Sequence, residues 1–204
     1  MITLRLGDGI LDILPVVRGL SAGGDAVRNA FGNYDRYCVS LSPEEIEGVR
    51  HRETAEEYEP GELEIVLAHR LSDFGTVEVP APAWCVAVDL CDEHSAEINA
   101  LDMNDAIYTE IYCETVSPWE FVKEHRLAKK AMKKKFDMSS PENFMKEWDI
   151  FVNSSKGFRE MALIRERHMF LRLREICGKG GRTLAVIDSE RTENLIKLLE
   201  NSHG

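Results

Sequence analysis

The sequence predicts an α/β fold: a central, mostly parallel sheet of about four to five strands, with flanking helices and an inserted helical layer. Three observations lead there. Over residues 1–92, short apolar segments alternate with stretches of helical periodicity, the rhythm of strands joined by crossover helices. The run RTLAVIDSERTENLIKLLE (182–200) passes from a continuous apolar strand straight into a capped amphipathic helix. Between Glu93 and Cys177 the rhythm stops and the pattern is almost wholly helical.

Taken in order, ITLRL (2–6) alternates apolar and polar side chains and meets the turn Gly7-Asp8-Gly9, so it reads as a strand. Ile10 to Leu20 then show helix-like apolar spacing around Pro15. RYCVSL (36–41) is a second strand. Ser42-Pro43-Glu44-Glu45 after it supplies a cap, a first-turn proline and acids at the positive end of the helix dipole. Pro60-Gly61 opens a helix that Gly75 closes; TVEV (76–79) is a short strand, and Pro80-Ala81-Pro82 a stiff connector. WCVAVDLCDEH (84–94) is a near-continuous apolar run that fits a strand buried on both faces. Helices are expected over residues 94–113, 118–136 and 142–176, with breaks at Ser117-Pro118 and Ser139-Ser140-Pro141. The chain thus divides into a sheet domain, residues 1–92 and 178–204, and a helical insertion or cap, residues 93–177.

A length of 204 residues supports a full-sized core. The hydrophobic (44%) and charged (30%) fractions are those of a globular protein. No apolar run approaches the ~20 residues of a bilayer span, which excludes an integral membrane protein, and no membrane partner is expected. The amino terminus lacks the pattern of a secretion signal, so a cytoplasmic location is expected. The five cysteines are scattered, with no C-x-x-C pair, and indicate neither a disulfide framework nor a zinc knuckle.

Net charge is −11, unevenly placed. Phe121 to Cys177 carry 14 Lys and Arg against 8 Asp and Glu, a local +6 that leaves −17 for the rest. This polarity suits an acidic body facing basic helices, within one chain or across a homodimer joined through the helical layer. The basic run KEHRLAKKAMKKKF (123–136) has no aromatic residues interleaved for base stacking, which disfavours nucleic acid as a partner.

Two acidic constellations could carry chemistry. Asp89 and Asp92, at the end of the apolar run 84–94, and Asp188, at the end of 182–188, would converge as strand-end carboxylates on a hard divalent cation. Each also has a plainer account as the first-turn acids or cap of a helix. Arg165 interrupts the apolar stripe Ala162, Met169, Leu173, Ile176 and requires an acidic partner, an anionic ligand, or a head that reaches water. GKGGR (178–182) precedes a strand instead of opening a helix, so it is a helix stop and not a phosphate cradle.

The run RERHMFLRLREICGKGGRTLAVIDSERTENLIKLL resembles the carboxyl-terminal signature of the TraB/PrgY family, related to the Tiki and erythromycin-esterase-like hydrolases. Glu166-Arg167 match that family's Glu-Arg pair and TLAVI its strand. ITLRLGDGILDILPVVRGL and YDRYCVSLSPEEIEGV are similar to its first two strand-helix units, and WCVAVDLCDEH would be its middle strand. Against that pattern, Ile10 and Arg191 stand where the motif histidines belong, and Ser40-Leu41-Ser42 where a glutamate follows the second strand. The resemblance implies the scaffold of a metal hydrolase without its ligands and base.

The expected function is therefore a non-catalytic or catalytically altered member of this fold, a binding or regulatory protein with no cofactor. Arg165, Lys179 and Arg191 would line a strand-end crevice that takes a small anionic ligand. The alternative is a divalent-metal-dependent hydrolase using Asp89, Asp92 and Asp188.

Overall fold

A computed structural model of the chain describes residues 1–54, 59–124 and 126–201. His125 of the basic run lies outside the described residues.

A five-stranded sheet forms the centre: β1 (Ile2–Leu6), β2 (Gly9–Val16), β3 (Arg36–Val39), β4 (Ile98–Ala100) and β5 (Gly181–Asp188), in the spatial order β1-β2-β5-β3-β4. β1 and β2 form an antiparallel hairpin, and all other pairs are parallel. The last strand in sequence fills the gap between β2 and β3, with Val16 opposite Asp188 and Val39 opposite Val186.

Side chains of β5 alternate between two cores, as a pleated strand requires. Leu184 and Val186 join a cluster with α1 (Ser21–Ala30), α2 (Pro43–Arg50) and α4 (Pro82–Glu93). Ala185 and Ile187 face the other way, toward Met169, Leu173 and Ile176 of α9 (Lys156–Cys177) and Leu195 and Leu199 of α10 (Ser189–Asn201). A third cluster covers the end of β2: Val17 and Leu20 pack with α3 (Glu62–Leu71), α7 (Leu127–Lys133) and α8 (Pro141–Val152). The remaining helices are α5 (Asp105–Thr115) and α6 (Pro118–Glu124). Among the described residues no helix is long and apolar enough to cross a membrane.

The α/β class holds, but three elements differ from expectation. WCVAVDLCDEH is helix, not strand: Cys85, Asp89 and Asp92 recur at steps of four and three as the less buried stripe of α4, while Trp84, Val88 and Cys91 are buried. The run is apolar almost all round because α4 is packed by α1 and α2, and a buried helix cannot be told from a buried strand by hydrophobicity alone. Gly23 makes the close approach to α1 feasible, since a Cβ there would lie 3.2 Å from Ala83 Cβ.

Residues 9–16 are strand, not the start of a helix. Pro15 is tolerated because β1 pairing ends at Ile13, so the missing N–H falls where β2 has one neighbour. The strand taken to lie at 84–94 is replaced by β4, inside the stretch expected to be helical, where it pairs with β3. TVEV makes only one isolated bridge, Val77 to Leu20, and no strand.

Candidate functional site at the strand ends

Parallel strands end together, and the loops that follow them converge on one crevice. Here β2 runs into Val17-Arg18, β3 into Ser40, and β5 into Asp188. Asp188 is the centre of the site. Its backbone N–H donates to Ser40 Oγ at 3.2 Å, and Ser40 Oγ donates to Asp188 Oδ2 at 3.0 Å. Arg18 forks onto the same carboxylate, Nε to Oδ1 at 3.4 Å and Nη2 to Oδ2 at 3.2 Å. Arg191, three residues along α10, brings its Nε to 3.9 Å from Oδ2. Burial opposes ionisation of Asp188, but the two guanidinium charges and the hydrogen bonds from Arg18 and Ser40 outweigh it and hold the carboxyl below its ordinary range.

Three further carboxyls surround this core, all with pKa values raised. Burial, then the Asp188 charge, push Glu190 up to about 7. Burial likewise raises Asp149 on α8, which feels Arg191, Asp188, Arg165 and Arg18. Glu166 on α9 is raised by burial despite the two hydrogen bonds that Asn194 Nδ2 donates to it, at 3.3 and 3.2 Å. Buried carboxyls displaced in this way beside paired arginines mark a functional-site candidate.

Arg191 is the least satisfied member. Its side chain is 9% exposed, and Nε is buried with no hydrogen-bond partner among the described residues. Guanidinium cannot shed its charge, so an open donor here invites an acceptor.

Of the other expected residues, Arg165 stands at the edge of this group, where it acts on Asp149 and Arg18, and Lys179 does not reach it. Arg165 is spent on Asp102: Nε donates to Oδ2 at 3.0 Å, Nη2 to the same oxygen, and the guanidinium lies 5.6 Å from the Tyr108 ring centroid. Of the three accounts open to Arg165, the acidic partner is the one the structure gives. Lys179 precedes the amino end of β5, the opposite end of the sheet from Arg191, about 23 Å away at strand rise; it cannot line the same crevice.

The strand-end carboxylate trio does not assemble. Asp89 and Asp92 lie on α4, not at a strand end, and are held by Arg52 (2.7 Å) and Arg50 (2.8 Å). Among the described residues no three His, Cys, Asp or Glu side chains gather to hold a metal ion. Asp188 does occupy a strand end, with Ser189 opening α10 beside it.

Arg18 is not legible in the sequence, because the apolar spacing of residues 10–20 fits a helix; a strand ending at Val16 places Arg18 at the strand ends. Glu190 follows Asp188 in the sequence either as part of a strand-end acidic group or as a first-turn acid, and nothing local marks Asp149 or Asp102.

Comparison of the chain with protein families, with curated proteins and with solved structures gave no match.

Proposed function

We propose that the chain is a non-catalytic or catalytically altered member of a TraB/PrgY-like fold, a binding or regulatory protein whose strand-end crevice takes a small anion. Arg191 is the primary contact and Arg18 stands beside it. The observation that carries this reading is the buried Nε of Arg191, which has no acceptor while Asp188 Oδ2 sits at 3.9 Å. One carboxylate is shared by two arginines, and burial raises the pKa values of Asp149, Glu166 and Glu190, the last to about 7, which makes these neighbours easier to protonate beside a bound anion. An anion with planar or tetrahedral oxygens would complete the donor set.

Two of the departures from the family pattern lie at this site. Arg191 at a motif histidine position and Ser40 at the end of the second strand both act on Asp188, so the substituted residues form a network of their own. Thermal-shift measurements against phosphate, nucleotides and dicarboxylates test the proposal. Stabilisation by at least one class, lost in Arg191→Ala, is the expected result. No stabilisation by any anion, or full retention in Arg191→Ala, rejects it.

A further inference from the structure

Of the three tryptophans, Trp84 and Trp148 are buried, whereas Trp119 on α6 is 77% exposed. Val122, one turn on, is 50% exposed, and Met132 on α7 is 65% exposed. The inner side of α7 is fixed by Ala128 and Ala131 in the third core cluster. Its other side therefore faces solvent with Lys129, Lys130, Met132 and Lys133. Lys123, Arg126 and Lys135, in the adjoining sequence, are exposed as well. None of these six cations forms an ion pair among the described residues. The neighbouring acid Glu120 is already engaged, accepting the Gly157 N–H at 2.8 Å and the Ser117 N–H at 3.0 Å.

We propose that the α6–α7 face docks peripherally on an anionic lipid bilayer. A tryptophan ring has an apolar body and a polar N–H, which suits the headgroup boundary. Exposed lysines on the next helix can lay their stems along an apolar surface and give their charge to lipid phosphates. The rest of the chain, at −17, is repelled by the same bilayer, which favours docking through the basic segment that contains α7. RNA fits less well, because exposed valine and methionine gain nothing from a phosphate backbone, and Trp119 is a single ring with no Phe, Tyr or Trp between Lys123 and Lys135 to stack successive bases. The expectation of no membrane partner rested on the lack of a spanning run, which surface docking does not need.

The test uses the full chain with vesicles of phosphatidylcholine alone and of phosphatidylcholine mixed with phosphatidylglycerol. Co-sedimentation with the anionic vesicles only, weakened by salt, is expected. Tryptophan emission should move to shorter wavelength on binding, and Trp119 alone among the three can report it. Lys129→Gln/Lys130→Gln/Lys133→Gln should lower partitioning about a hundredfold, about fivefold per lysine. Trp119→Ser should abolish the emission change; both variants should keep the wild-type Tm, since the replaced side chains are exposed. Absence of sedimentation, equal binding to neutral vesicles, or indifference to the lysine replacements overturns the proposal. So does a doubled mass with Trp119 already shielded before lipid is added, which would mean that a second copy covers the face.

Discussion

Ser40 and Asp188, 148 residues apart, exchange two hydrogen bonds: the Asp188 N–H donates to Ser40 Oγ at 3.2 Å, and that hydroxyl donates back to Oδ2 at 3.0 Å. The exchange ties the end of β3 to the end of β5 at the point where the chain turns into α10. Ser40→Ala leaves a buried N–H and a buried carboxylate oxygen each short of a partner. A loss of about 1–3 kcal/mol is expected, measured by urea denaturation. Ser40→Thr, which keeps the hydroxyl, should recover part of it.

Asp188→Asn removes the charge that balances Arg18 and Arg191. Arg18 is partly open to solvent, so the expected loss of about 2–3 kcal/mol lies toward the low end for a broken buried pair. The sign with pH follows from the lowered pKa of Asp188. Its contribution is present above the unfolded carboxyl value of about 3.9 and is lost as pH falls through the lower folded value. Wild-type denaturation midpoints should drop in that acid range, and Asp188→Asn should flatten the drop.

Glu190 behaves in the opposite sense. Raised from 4.5 to about 7, it keeps its proton in the folded chain while the unfolded chain has released it, so stability declines as pH rises through that window. Glu190→Gln should remove the decline. The variant should match wild type near pH 4 and exceed it by about 3 kcal/mol at pH 8 in parallel denaturation series.

Arg165 and Asp102 form a structural pair. Arg165→Met leaves the Asp102 carboxylate, 3% exposed, without its cation and should cost about 3 kcal/mol. Adding Asp102→Asn should restore part of this, so a double-mutant cycle in urea should show coupling well above experimental error. Anion stabilisation should persist in the double variant if Arg191 is the contact.

Gly9 begins β2 against the end of α9. A Cβ on Gly9 would sit 2.4 Å from the Cys177 carbonyl oxygen, a backbone atom that cannot swing away. Gly9→Ala should cost about 1–3 kcal/mol and lower Tm by about 2–4 °C per kcal/mol.

The sequence by itself determined the α/β class, the strands ITLRL, RYCV and TLAVID, and the Ser42 cap, whose side chain accepts the Glu45 N–H at 3.0 Å. These are local matters of periodicity and capping, which neighbouring residues decide among themselves. Tertiary structure alone decided the rest. WCVAVDLCDEH became a helix because helices enclose it, and INA became a strand because β3 offered a free edge beside it. The site was half legible: Asp188 and Arg191 stood out at the strand-helix junction, but their partner Arg18 lies 170 residues earlier, and no local pattern links the two. The place of Lys179 at the far end of β5 and the pairing of Arg165 with Asp102 were illegible for the same reason, since the direction of a strand and the position of Asp102 are set by packing across the whole chain.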